Sequence, residues 1–207
     1  MMRYIHWFWD FDGTLYDSYP HIVQLTRGML NSLGADAPEA DILRCAKDSL
    51  SRVFQQYTPQ ADPDEVVRLY NQHSAAAGLD GMRPYPGAAQ FLKASHALGA
   101  RHYLYTHRDG GSLDMLMRDG LYDLFADYVT SLDGFPSKPA PDALNHLVEK
   151  HGLDRAVCVM VGDRAMDLDA GKSAGMATIL LDPDGFYADY QPDHRFGDYA
   201  SMHDALL

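Results

Sequence analysis

Near its start the chain carries Tyr4-Ile5-His6-Trp7-Phe8-Trp9, an aromatic and aliphatic run that stops at Asp10-Phe11-Asp12-Gly13-Thr14. A short apolar run that ends at a glycine turn reads as a buried β-strand followed by a loop. Residues two apart on an extended segment point to the same side, roughly 7 Å apart along the chain. Asp10 and Asp12 therefore stand together at a strand exit. Two carboxylates held this way repel each other and need a cation, a shared proton or water. A turn rich in Asp and Gly is ordinary loop composition, but it does not explain two aspartates closing an apolar strand.

Working outward, residues from Pro20 to Leu33 repeat apolar groups at Ile22, Leu25, Met29, Leu30 and Leu33 and then meet Gly34, which is helical spacing with a helix-ending glycine. Ile42 to Tyr57 reads as a second helix. A third starts at Asp62-Pro63-Asp64-Glu65, with Asp62 as N-cap, Pro63 in the first helical position and Glu65 completing a capping box. From Arg83-Pro84-Tyr85-Pro86-Gly87 onward, helices and strands alternate. The expected helices are Ala88 to Leu98, Leu113 to Met117, Pro141 to Lys150 and one beginning near Ala165. The expected strands are His102 to Tyr105, Tyr128 to Thr130, Val157 to Val161 and Thr178 to Leu181. Such alternation predicts an α/β fold: a Rossmann-like parallel sheet core covered by helices on both faces. The core takes residues 1–15 and 83–207, and the helical stretch 16–82 is an insertion after the first strand.

Bulk properties narrow the function. The 207 residues carry a formal net charge of −12, with Lys and Arg scattered, which argues against nucleic acid or an anionic membrane as a main partner. An anionic substrate on this acidic background needs a local cation, and that points toward a metal. The N-terminus lacks the apolar run and cleavage site of a signal peptide, and no 18 apolar residues are consecutive, so neither a leader nor a membrane span is expected. Cys45 and Cys158 show no metal-ligand spacing and no disulfide framework, so a reducing, cytoplasmic location is the expectation.

In open α/β sheets, ligands bind beyond the carboxyl ends of the strands. Four strand exits carry candidate residues. Asp10 and Asp12 are the first. Thr106 ends the second strand, where a hydroxyl and free backbone N–H groups suit a phosphate oxygen, although a Thr there also caps helices. The string His107-Arg108-Asp109 resembles part of a kinase catalytic loop, but no Asn follows at the required spacing and no Gly-rich loop precedes it, which excludes that reading. Lys138 stands in Ser137-Lys138-Pro139-Ala140-Pro141, where prolines fix the backbone around one cation. Asp163 and Asp167 lie four apart after a strand and share a helical face; such carboxylates suit magnesium, unless Asp163 is only an N-cap. Trp7, Trp9, Tyr70 and Tyr103 read as core packing.

These motifs, in this order, resemble the haloacid dehalogenase-like superfamily, in its phosphoglycolate phosphatase and beta-phosphoglucomutase branch. The DxDGT motif is Asp10 to Thr14, the strand-ending hydroxyl is Thr106, the lysine motif is Lys138-Pro139, and GDxxxD is Gly162 to Asp167. The resemblance covers nearly the whole chain and implies that residues 16–82 form a cap domain. It further implies that Asp10 is the nucleophile, forming an aspartyl-phosphate, and that Asp12 is the general acid and base. Mg2+ would be held by Asp10, the backbone carbonyl of Asp12 and Asp163, with Asp167 in support. Thr106 and Lys138 would bind the transferring phosphoryl group. The implied substrate is a small phosphorylated metabolite. The sequence departs from the family at His107, where a small polar residue is usual; His107 either contacts the leaving group or caps the next helix. Asp12 argues against a dehalogenase or a phosphonate hydrolase. A phosphomutase uses the same four motifs and stays open, and a non-catalytic binding module is disfavoured because every motif side chain is present. The cap's connections, Tyr16 to Pro20 and Gly81 to Pro86, would be hinges, with Tyr19, His21, Lys47 or Arg52 choosing the leaving group.

Overall fold

The computed structural model describes residues 2–79 and 81–207. The chain forms two compact units: the segment up to Tyr16 together with Pro84–Leu207, and Asp17–Arg83.

The first unit is built on a six-stranded, fully parallel sheet. Its strands are β1 (His6–Trp9), β2 (Arg101–Tyr105), β3 (Phe125–Val129), β4 (Cys158–Gly162), β5 (Ala177–Leu181) and β6 (His194–Phe196), in the order β3-β2-β1-β4-β5-β6. The chain winds outward from β1 to β3, returns to β4, and winds outward again. This doubly wound order leaves a crevice at the carboxyl ends of β1 and β4, where successive connections leave in opposite directions. Both strands are central, and β4 is buried along its whole length, as expected when helices cover both faces.

Alternation along β1 and β2 assigns the two faces. Phe8, Tyr103 and Tyr105 pack with Ala143, Leu144 and Leu147 of α7 (Asp142–His151), Met160 of β4 and Ala170 of α8 (Ala165–Ser173). On the other face Trp7 and Trp9 stack at 5.7 Å and meet Phe91 of α5 (Ala88–Ala97) edge-on, and Trp9 stacks on Tyr199 of α9 (Tyr199–Leu206). Both indoles are fully buried, and truncating such a side chain typically costs about 3–5 kcal/mol.

The helical unit contains α1 (Tyr19–Ser32), α2 (Glu39–Asp48), α3 (Ser51–Tyr57) and α4 (Pro63–Ala77) around Met29, Leu30, Ile42, Val53, Phe54 and Leu69. Lys47 is buried there with its ammonium 4.8 Å from the centre of the Tyr19 ring, His21 is half-buried, and exposed Arg52 pairs with Asp48. No described helix is long and apolar enough to cross a membrane.

Several elements differ from expectation. The stretch Ile42 to Tyr57 is two helices, because Ser49 adopts an extended conformation (φ −147°, ψ 116°). Asp62 caps α4 by accepting from the Asp64 N–H, but Glu65 does not reciprocate; it pairs with Arg68 at 3.0 Å. Tyr70 is 45% exposed and is not core. The third strand begins earlier, at Phe125, because it is an outer strand whose exposed Ala126 and half-buried Asp127 interrupt the apolar pattern before Tyr128. Neither β6 nor α9 was expected. Three residues without a buried position give β6 no readable pattern; α9 is short, and Asp198 caps it by accepting from the Ser201 N–H at 2.7 Å.

Behind β1 lies a buried imidazole. His102 Nδ1 accepts from the Trp9 indole N–H (3.0 Å), so the ring proton belongs on Nε2, facing Ser95 Oγ at 3.3 Å. Burial, with a smaller push from His96, lowers its pKa to about 3. The native ring thus stays neutral while an unfolded His takes a proton below about 6.5. Stability should therefore fall as pH drops from about 6.5 toward 3, by roughly 2 kcal/mol between pH 7 and 5. Urea unfolding at both pH values should show this loss in the wild type and a smaller one in His102→Gln. A native His102 resonance titrating near 6.5 would contradict it.

Candidate active site

The site forms where β1 and β4 end. The Asp10 N–H donates to the Val161 carbonyl at 2.9 Å, so Asp10 is held by the last rung between these strands. The chain then turns: the Tyr16 N–H returns to the Phe11 carbonyl (3.0 Å), the Phe11 and Tyr16 rings stack at 4.3 Å, and Gly13 takes φ +78°, a left-handed conformation that glycine adopts without steric cost. From α9, the Tyr199 hydroxyl donates to the Thr14 carbonyl at 2.9 Å, bracing this turn from behind.

Lys138 reaches in from the segment before α7. Its side chain has no exposed surface, and Nζ lies 2.5 Å from Asp10 Oδ1 and 2.8 Å from Asp167 Oδ1. Asp163 follows β4 directly, and Asp167 sits in the first turn of α8, where it accepts from the Arg164 N–H at 3.1 Å. Gly162 makes this approach possible: a Cβ there would lie 2.3 Å from the Asp167 Cβ. Oxygen atoms of Asp10, Asp163 and Asp167 come within 4.8 Å of one another, and all three residues are buried.

Lys138 and Arg164 (Nε 3.8 Å from Asp167) are the cations that the described ion pairs place against this trio of acids. The strain falls on Asp10. Burial first, then the charge of Asp167, raise its pKa to about 6 against the pull of Lys138 and Arg164. Asp167 stays below the usual carboxylate range: burial opposes its ionisation, but Lys138 and Arg164 outweigh that. Lys138 is held above its ordinary value because the attraction of Asp10 and Asp167 exceeds its own desolvation. Three buried carboxylates with converging oxygens are a donor set that fits a small hard divalent cation such as magnesium.

The remaining candidates lie around this trio. Thr106 is buried at the end of β2, and its Oγ accepts from the Arg108 N–H at 3.0 Å. The hydroxyl therefore braces its own loop and does not cap α6 (Gly111–Arg118), whose N-cap is Gly110. His107 does not cap that helix either. Its Nε2 accepts from the Lys138 backbone N–H at 2.9 Å, tying the second-strand loop to the lysine loop. Desolvation, then the positive charges of Lys138 and Arg164, push the pKa of His107 down to about 4. Asp12 stands outside the buried trio, with its carboxylate forked by Arg108, Nη2 to Oδ1 at 2.6 Å and Nε to Oδ2 at 3.2 Å. Sequence reading missed Arg108, seeing it only within a kinase-like string. Its signal was a cation two residues past the strand-ending hydroxyl.

The profile of the haloacid dehalogenase-like hydrolases matches residues 7–181. The chain belongs to this family. Among curated relatives of this hydrolase, a phosphoglycolate phosphatase of Vibrio parahaemolyticus is 31% identical over 83% of this chain and 81% of its own. A 5'-nucleotidase of Pseudomonas aeruginosa is 28% identical over 99% of this chain and 96% of its own. A solved structure from Clostridium difficile shares the fold with a TM-score of 0.85 at 21% identity, covering 100% of both chains. Within the family, then, the enzyme is a phosphatase.

A carboxylate whose folded pKa is raised contributes stability that is fully present below its unfolded pKa and is lost as pH rises through the folded value. Above pH 6, therefore, ionised Asp10 should destabilise the metal-free protein. Asp10→Asn should raise the melting temperature at pH 7.5 in chelator, because the neutral amide removes the ionised carboxylate that burial and Asp167 disfavour. Differential scanning calorimetry checks this, and a variant that melts below wild type would refute it.

Proposed function

We propose that this phosphatase hydrolyses a small phosphate monoester through a phosphoaspartate on Asp10, with Asp12 as general acid and base and magnesium as cofactor. The observation that carries the reading is the buried Asp10 carboxylate, paired with Lys138 and converging with Asp163 and Asp167 within 4.8 Å. Asp10 would donate an oxygen lone pair to phosphorus as the bond to the leaving oxygen breaks. Asp12 would give that oxygen a proton, then take one from the water that attacks phosphorus and frees Asp10 with release of phosphate. Lys138 would hold Asp10 in line and offset charge on the phosphoryl oxygens, and Thr106 would hold one of them. Asp10, Asp163 and the Asp12 carbonyl, supported by Asp167, would hold the magnesium, which supplies charge neutralisation for the transferring group. His107 would act on substrate only indirectly, through the Lys138 backbone it supports.

The helical unit, Asp17–Arg83, is proposed to act as the cap that closes on bound substrate. Free, buried Cys45 and Cys158 fit a reducing compartment, which supports a cytoplasmic location. The names of the relatives make 2-phosphoglycolate the first ester to try.

Phosphate release from an aryl phosphate and a panel of small esters tests this. Activity should require magnesium, vanish in chelator, and fall at least about 1,000-fold in Asp10→Asn. Release that persists without divalent metal, or an Asp10→Asn enzyme that keeps a tenth of the rate, would sink the mechanism.

A further inference from the structure

We infer that Arg108 selects the leaving group: its guanidinium is the counter-charge for a carboxylate on the alcohol half of the substrate. The inference rests on the phosphatase reading of the same site and deepens it. Arg108 holds Asp12 side-on through two N–H groups, one to each carboxylate oxygen. That fork is the arrangement in which a guanidinium recognises a planar carboxylate. It also occupies both oxygens of the residue proposed to pass a proton to the leaving oxygen. For Asp12 to turn an oxygen toward that atom, the fork has to open. An incoming carboxylate next to the ester oxygen opens it by taking over N–H groups from Asp12, so binding of the anionic leaving group and freeing of the Asp12 side chain become one event.

The charges of the site support this assignment. A phosphate ester that also bears a carboxylate brings an added negative charge beside Asp12. Lys138 has no exposed side-chain surface and is shared by Asp10 and Asp167, and Arg164 lies on the Asp167 side. Arg108 is the cation that touches Asp12, and its side chain keeps 16% of its surface open to solvent.

The guanidinium is also preorganised. The Arg108 N–H donates to Thr106 Oγ (3.0 Å), its carbonyl accepts from the Ser131 N–H (3.0 Å), and its side chain lies over the Phe11 ring at 5.8 Å. Backbone bonds on both sides and an aromatic floor reduce the ordering cost of binding. The ester that tests this is one whose alcohol half carries a carboxylate close to the ester oxygen.

The test compares kcat/KM for 2-phosphoglycolate and ethyl phosphate, which has a methyl in place of the carboxylate, in wild type, Arg108→Gln and Arg108→Lys. Wild type should prefer 2-phosphoglycolate by about 100-fold, as for a site that pairs a charged substrate group. Arg108→Gln should lower both activities but cut the preference to about threefold or less, and Arg108→Lys, which keeps charge without the fork, should fall between. Thermal melts establish that each variant is folded, and Arg108→Lys carries the test if Arg108→Gln is not. Equal loss on both esters would overturn the inference and leave Arg108 only positioning Asp12, with the phosphatase reading intact. A wild type that favours ethyl phosphate would also overturn it. A wild type inert on these esters and on aryl phosphate would sink both readings.

Discussion

An ammonium taken wholly out of water must be paired, and Lys138 meets that demand with Asp10 and Asp167. Each partner comes from a different part of the chain: the end of β1, the segment before α7 and the first turn of α8. One buried cation thus fixes three backbone segments to one another and lets the acids converge in a dry crevice. Asp10 retains the residual strain as a raised pKa, which the magnesium of the proposed mechanism would relieve. In that mechanism the affinity for a metal and the tension in the metal-free fold would have the same origin.

The architecture supports this network from both sides. Gly162 removes a Cβ that would collide with Asp167, allowing α8 to start hard against the end of β4. Behind the DxDGT turn, Tyr199 joins the aromatic packing of Trp9 and Phe91 and gives its hydroxyl to the Thr14 carbonyl. His107 links two loops by accepting from the Lys138 backbone. None of these groups needs to meet substrate, yet each fixes a segment that carries a residue of the proposed mechanism.

The central features were legible in the sequence because each depends on local pattern. Apolar runs mark the inner strands, and acidic or hydroxyl residues directly after them mark the site. Features that depend on distant pairing were not legible. Arg108 and Asp12 stand 96 positions apart, and nothing in either stretch announces the fork. The break between α2 and α3 depends on one extended residue, Ser49, within an otherwise helical pattern. The outer strand β6 has no fully buried residue to give it a rhythm, and Tyr70 looked like core only because aromatic side chains usually are. Glu65 had the spacing of a capping box but found Arg68 instead. The competition between a backbone N–H and a nearby guanidinium is not written in spacing.

The position of β1 at the centre of the sheet has a consequence for synthesis. Its ladder partners are β2, beyond the helical insertion, and β4, where His6 aligns with Cys158. A ribosome delivers β1 first and these neighbours much later. Meanwhile the contacts within Asp17–Arg83 all lie between β1 and β2 in the chain and span less of it than the pairing of β1 with β4, so they can form sooner. The helical unit can therefore fold while Trp7, Phe8 and Trp9 still wait, apolar and with unpaired edges, a state prone to aggregation. A strand at the centre of the finished sheet is thus an exposed one in the nascent chain.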